Sequence, residues 1–362
     1  MAQATTADQG LALKKKKLLD ESFFKKGIIL GLFSGITYGL YTAFITVAQN
    51  QGSWVDWWAG FDATAFLAIF ILPTIAAALN DTCSGIWALV VTIKQGKFGD
   101  FLLTLKSKPG VMMVAAALVG GPIATTSYII ALSQAGPIAT PVAALNVTAG
   151  ALLGRILYKQ QLGGRVIAGI AICLAASTMI AVPALTGEVE PGMVTGFVFA
   201  LVAAFGWGLE GCIAGFGTAM IDSQIGITIR QCTSGLSQLI ILIPVLALVG
   251  GVGLGEAYSF VGAAISNWPW VLIFLVSGFF AYVSFASWYI GNSMCGAALG
   301  MALNGTYTFF SPFFTWVILG LFMGLDGYAL APIAWVAAIV MTVGIFVIAV
   351  NPIDFFKKGE AQ

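Results

Sequence analysis

With 362 residues, 59% of them hydrophobic and only 9% charged, and a mean hydropathy of +0.96, the chain lies far from soluble globular proteins, in which about a quarter of residues are charged. A bilayer core of about 30 Å takes about 20 apolar residues per helical span, and runs of that length recur along the chain, which excludes a single soluble core. The net charge of +1 says little as a total; its placement carries the information.

The first 26 residues are polar and lysine-rich, and the apolar run from Gly27 already has span length, so no cleavable signal peptide is expected. The stretch Lys14–Lys26 reads as an interfacial segment attracted to anionic lipid. Spans are expected at 27–49, at 61–93 with a bend near Pro73, at 111–135, 138–158 and 165–183, and then at 193–217, 225–249, 268–291, 297–320 and 328–350. Gly136-Pro137 is the tight turn between the third and fourth. The fold expected is an all-α membrane protein with about ten transmembrane helices.

Charge placement orients them. An even number of spans puts both termini on one side, so Lys14–Lys17, Lys25, Lys26, Lys357 and Lys358 share a compartment. Lys94, Lys97, Lys106, Lys108, Lys159 and Arg165 fall in loops on that side, with Arg155 and Arg230 at helix ends there. The opposite loops hold Asp56, Glu188, Glu190, Glu256 and Asp326, with no lysine or arginine. Because basic loops stay cytoplasmic, both termini are expected in the cytoplasm of a bacterial inner membrane. Trp54, Trp57, Trp58, Trp268 and Trp270, at the outer ends, read as an interfacial aromatic belt.

Short segments also repeat in order. Ala144-Leu145-Asn146-Val147-Thr148 matches Ala302-Leu303-Asn304-Gly305-Thr306, Thr126-Ser127-Tyr128-Ile129 aligns with Ala286-Ser287-Trp288-Tyr289, and Gly39-Leu40-Tyr41 aligns with Gly208-Leu209-Glu210. Five spans per half is an odd number, so the second repeat is inverted. The halves are expected at 27–184 and 193–350, flanked by a cytoplasmic basic segment at 1–26 and a cytoplasmic tail at 351–362. Inverted repeats place a binding site near the midplane between them.

Ionisable groups inside a bilayer are costly and raise the prior for a functional pathway. Glu210, flanked by Trp207 and glycines, reads either as a substrate counter-ion or proton carrier, or as a carboxyl that hydrogen-bonds a neighbouring helix. Asp81 is a second proton-coupling candidate unless it lies at the cytoplasmic interface. Arg230 either binds an anionic group or snorkels to the interface. Helical spacing aligns Ser34, Tyr38, Tyr41 and Thr42 on the first span and Ala203, Trp207, Glu210 and Ala214 on the sixth. The same spacing aligns Ser277, Ala281, Ser284 and Trp288 on the eighth span and Gly300, Asn304, Thr308 and Ser311 on the ninth. A cavity with aromatic walls, hydroxyl and amide groups and one acid suits an organic cation; packing by small and aromatic residues is the alternative.

Histidine is absent, which leaves proton coupling to carboxylates. The five cysteines fall in apolar segments with no CxxC pair, so no metal or redox site is expected. No phosphate loop, HExxH or GxSxG motif points to ATP hydrolysis or membrane-embedded catalysis.

The stretch Tyr128 to Ala184 carries a family resemblance. Ile130-Ala131-Leu132 leads through the tight turn to Pro141, then to a cytoplasmic end at Arg155–Leu162 and a helix with Gly169-Ile170-Ala171-Ile172. With Arg230 early in the second helix of its repeat, the chain resembles the EamA-like, ten-helix branch of the drug/metabolite transporter superfamily. It departs at Asp62, where the first half has no matching basic residue, and at Lys159-Gln160-Gln161, where an acidic residue is usual. The resemblance implies transport of amino acids, sugars, nucleotide sugars, amines or drugs.

The resulting expectation is alternating access, with a small polar organic solute bound by Tyr38, Tyr41, Tyr128, Asn146, Trp207, Glu210, Trp288 and Asn304, and with Glu210 or Asp81 coupling protons. An amine or quaternary ammonium compound is favoured over a sugar taken up with protons or an exported metabolite or amino acid. A membrane enzyme, scramblase or channel is the less favoured class. The partners expected are that solute and membrane lipid, with no nucleic acid and no cofactor, in a monomer or homodimer.

Overall fold

No water reaches the backbone inside a bilayer, so a spanning segment must satisfy its own N–H and C=O groups, and this chain does so with helices. The computed structural model describes residues 6–62, 65–159, 163–186, 192–218, 220–295 and 303–349, which hold helical turns and no strand. The chain is an all-α membrane protein: among the described residues six helices are long and apolar enough to cross a membrane, and three shorter apolar helices accompany them. The expected tail at 351–362, Lys357, Lys358, Glu188, Glu190, Gly300, Ala302, Gln160 and Gln161 lie outside the described residues.

In chain order the helices are α1 (Thr6–Gln49), α2 (Ser53–Gly60), α3 (Leu72–Lys94), α4 (Phe98–Leu105), α5 (Lys108–Leu118), α6 (Thr126–Ala135), α7 (Ala139–Ala143) and α8 (Asn146–Tyr158). They continue with α9 (Gly164–Thr186), α10 (Met193–Thr218), α11 (Ser223–Ser237), α12 (Ile243–Val249), α13 (Leu254–Ser266), α14 (Trp268–Cys295), α15 (Tyr307–Thr315) and α16 (Pro332–Ala349).

The first span continues upstream into the basic segment: α1 is unbroken from Thr6, because its leucines, alanines and lysines are strong helix formers with no proline among them. At 44 residues it is about 66 Å long, about twice the bilayer core, and its apolar part is Ser22–Gln49.

The bend expected at Pro73 takes the form of a π-turn at Leu67–Ile71, just ahead of the proline. Similar turns at Val119–Thr125 and Gln238–Leu242 lie at or just ahead of Pro122 and Pro244, and another, at Trp316–Phe322, follows Pro312 by one turn and is not explained by it. A proline lacks the N–H and crowds the preceding carbonyl, and the wider turn absorbs both defects. The chain reverses at Gly136, whose φ of 63° is in the left-handed region open to glycine. Tyr128 Oη lies 3.0 Å from Thr140 Oγ1, twelve residues on, where an unbroken helix would hold them about 18 Å apart. Two more breaks, at residues 144–145 and 305–306, lie beside Asn146 and Asn304.

In the packing, α1 lies against α14 and α15, α10 against α5, α6 and α8, α3 against α11 and α14, and α9 against α16. Glycines at helical spacing let α1 approach closely: a Cβ on Gly31 or Gly39 would collide with Leu303 or with the backbone of Phe310.

The tryptophan belt is corrected in part. Trp268 is 70% exposed, but Trp54 is fully buried and Trp270 nearly so, packed edge-on or tilted against each other and against Trp57 and Phe274. The reason is that α2 and α13 form in segments read as loops and give these rings partners.

Asp222 lies just outside the spanning segment Ser223–Val249 and caps α11, accepting from the Gln224 and Ile225 N–H groups and pairing with Lys97 Nζ at 2.8 Å. Partial burial works to raise its carboxyl, but the Lys97 ammonium and the two backbone donors outweigh it and hold the group below its usual value. A carboxyl depressed on folding stabilises above its unfolded value, near about 4, and loses that contribution as pH falls below it. Asp222→Ala is expected to cost about 0.5–2 kcal/mol, measured as a lower melting temperature in detergent at pH 7, with the difference shrinking toward pH 3.

Candidate functional site

A small cavity of about 50 Å³ opens where α1, α8, α10 and α14 meet the start of α15. Tyr38, Asn146, Trp207, Glu210, Trp288 and Asn304 line it, together with Phe285, Tyr289 and Tyr307. Six of the eight residues expected to bind substrate are thus brought to one place from five segments. The other two stand behind the wall: Tyr41 packs edge-on to Tyr38 at 5.1 Å, and Tyr128 lies 5.2 Å from Trp207. Tyr128 Oη instead joins Thr42 at 3.2 Å and Thr140 at 3.0 Å, and Ser311 donates to Thr42 at 3.3 Å. This hydroxyl cluster links four helices beside the cavity.

The cavity wall is rich in unanswered hydrogen-bonding capacity. Tyr38 Oη, Tyr307 Oη, Trp207 Nε1, Trp288 Nε1 and Asn146 Oδ1 are buried with no partner among the described residues. Buried polar groups are nearly always paired, so five unpaired ones around one space mark it as a place for a polar occupant. Asn304 is held in position, its amide donating to Ser34 Oγ at 2.5 Å, with Ser34 in turn bonded to Ser284.

Glu210 has a partner of its own. Arg230 on α11 donates from Nε to Glu210 Oε1 at 2.9 Å and from Nη2 to Oε2 at 3.4 Å, and its Nη1 reaches Gln231 Oε1 at 2.7 Å. The guanidinium is fully buried and lies 4.2 Å from the centre of the Phe285 ring. Arg230 therefore does not snorkel: it sits two turns inside α11, and the paired fork gives it a better site than the interface. The Glu210 carboxylate fits because Gly120, in the π-turn before α6, has no side chain; any Cβ there would overlap the carboxylate.

Asp81 is buried in the bundle rather than placed at the cytoplasmic interface, 13 residues and about 20 Å of helix from Lys94. Its carboxylate accepts from Ser234 Oγ, from Asn80 Nδ2 at 3.1 Å and from Gln238 Nε2 at 3.3 Å. It belongs to a polar seam between α3 and α11 that continues through Ser84 with Gln231 and through Thr92 with Gln224 and Thr228. Close approach is possible because Gly85 and Gly235 face backbone across the seam. Sequence reading did not single out Gln231, Ser234 and Gln238; their i, i+3, i+4 spacing with Gln224 and Thr228 was the available signal. Tyr307, Tyr289 and Phe285 were also not singled out, being indistinguishable in sequence from ordinary packing aromatics.

No protein-family model and no curated protein matches this chain. Among solved structures, one described simply as a crystal structure of a protein is similar over 92% of this chain and 99% of its own, with a TM-score of 0.52 and 17% identity. At that identity the likeness is one of fold.

Proposed function

We propose that the chain is a secondary transporter of the EamA-like drug/metabolite class, with ten spans in two inverted five-helix halves, 27–184 and 193–350, and both termini in the cytoplasm of a bacterial inner membrane. It moves a small polar organic solute, chemically unchanged, by alternating access. Three features support the inverted repeat. The π-turn and proline of Leu67–Pro73 recur at the same spacing in Gln238–Pro244. The matching segments around Asn146 and Asn304 both carry broken helices. Exchanging the halves maps the packing pairs onto one another, with α1 on α14 and α15 answering α10 on α6 and α8, while α3 with α11 and α9 with α16 map onto themselves. Repeats of this kind bind substrate between the halves, beside interrupted helices.

The transport reading is carried by the small cavity between the halves, whose lining residues carry buried donors and acceptors unpartnered among the described residues. At about 50 Å³ it has room for a few water molecules, so an organic solute enters only if the halves part. The polar atoms suit an uncharged solute bearing hydroxyl or carbonyl groups: two indole N–H groups and two phenols donate, the Asn146 oxygen accepts, and the rings offer apolar faces. An amine finds the same aromatic walls, but it would have to draw Glu210 away from Arg230.

A melting-temperature screen of purified protein against sugars, polyols, nucleosides, amino acids and quaternary ammonium compounds tests this. Sugars or other neutral polyhydroxy compounds are expected to stabilise the wild type. Trp207→Phe, which keeps the ring face and loses the N–H, should weaken binding by about 1–3 kcal/mol, or 5- to 150-fold. Stabilisation by quaternary ammonium compounds alone would replace the neutral solute with a cation. Saturable counterflow in proteoliposomes checks transport itself; flux that never saturates would overturn it.

A further inference from the structure

We propose that Asp81 is a proton-binding site, separate from the Glu210–Arg230 pair and poised to change its charge while the protein remains folded. That it couples protons to solute movement rests on the transport reading above; that it binds a proton does not.

The first observation is a charge count. Among the described residues the buried carboxylates and cations are Asp81, Glu210 and Arg230. Arg230 gives two of its donors to Glu210 and a third to Gln231. Asp81 is left with neutral donors alone, from Asn80, Ser234 and Gln238. With both acids ionised the buried set carries one negative charge that no cation touches, which is costly inside a membrane. A proton on Asp81 removes it.

The second observation concerns hydrogen bonds. Gln238 Oε1, on the amide that reaches Asp81 through Nε2, is buried and has no partner among the described residues. Ionised Asp81 is served by three donors. Once protonated, it needs an acceptor, and turning the Gln238 amide over presents that oxygen to the new O–H. The oxygen and nitrogen ends of an amide are close in size, so the turn needs no repacking of the neighbours. Asp81 therefore finds hydrogen-bond partners in both charge states among the same side chains, which a site that takes up and releases a proton requires.

A metal cation fits less well. No group of three or more acidic, cysteine or histidine residues surrounds the position among the described residues, and amide and hydroxyl hydrogens already occupy the carboxylate oxygens. The charged and titratable groups facing Asp81 are Arg230 on α11 and Tyr41 on α1, with Glu210 on α10 beyond Arg230; α14 contributes the neutral Ser277, which donates to Asn80 at 2.7 Å.

The site is mechanically joined to the cavity. Ser234 lies one turn from Arg230 on α11, and it abuts Gly121 just as Glu210 abuts Gly120. Two adjacent glycines of one π-turn thus hold the proton site and the ion pair against each other.

Infrared difference spectroscopy of the full chain in proteoliposomes, between acidic and alkaline buffers and without any solute, tests the assignment, so an absence of transport leaves it standing. The wild type should gain a protonated-carboxyl C=O band on acidification. Asp81→Asn should lose that band and Glu210→Gln should keep it. Ser234→Ala, which removes one hydrogen bond without altering charge, should keep the band and move it to higher wavenumber, and it decides the matter if Asp81→Asn does not fold. A band unchanged in Asp81→Asn, lost in Glu210→Gln, unmoved by Ser234→Ala, or replaced by a spectral change driven by sodium at constant pH would overturn the proposal.

Discussion

Arg230→Met should cost about 3–5 kcal/mol of stability, read as a lower melting temperature in detergent. The wild-type guanidinium is fully buried and Glu210 is 8% exposed, so removing the cation strands a carboxylate where water and salt hardly reach it. The stacking on Phe285 and the bond to Gln231 go as well. Glu210→Gln keeps an oxygen facing the guanidinium and should cost less. The combined variant Glu210→Gln/Arg230→Met should be more stable than the sum of the two losses predicts, by about 0.5–3 kcal/mol, since no unpaired charge remains. Strictly additive losses would mean that the two groups contribute independently, and would remove the ion pair as the feature tying α10 to α11.

The second large effect is at Gly120. A Cβ there overlaps the Glu210 carboxylate, which cannot retreat without leaving Arg230. Overpacking of a well-packed interior costs about 1–3 kcal/mol, and here the ion pair is lost in addition. Gly120→Ala should therefore lower the melting temperature and abolish binding in the cavity. Glu210→Ala should be partly compatible with Gly120→Ala, because shortening the acid opens the space that the methyl group needs. Gly99 is the control: within α4, a Cβ there meets nothing within 4 Å, so Gly99→Ala should be stabilising by about 0.5–1 kcal/mol. Equal losses at the two glycines would show that the Gly120 effect is one of helix propensity rather than of contact with Glu210.

The positions that sequence reading located well are those whose signal is local. Ser34, Tyr38, Trp207 and Ser284 lie on helix faces set by a 3.6-residue period, and each is buried or nearly so, where that period puts it. The reversal at Gly136-Pro137 needs only the residues that make it. Arg230 stays open in the sequence between an anionic partner and the interface, because nothing in its own segment reveals an acid 20 residues away on another helix. Trp54 and Trp270 were misjudged for a similar reason: their burial depends on α2 and α13, short helices whose sequences carry no span-length apolar run.

The amino-acid sequence suffices to establish that this protein is helical and lies in a membrane, because long unbroken apolar runs, without the alternation of barrel strands, satisfy their backbone in lipid as helices. The tertiary structure alone decided what the polar residues inside do. Whether Glu210 faces a substrate or a cation, whether Asp81 meets water or Ser234, and whether Tyr128 lines a cavity or braces its wall are questions of which helices touch, and at which glycines they come close enough. Those contacts join residues far apart in the chain, 270 positions in the case of Ser34 and Asn304, and hydrophobic periodicity carries no record of them.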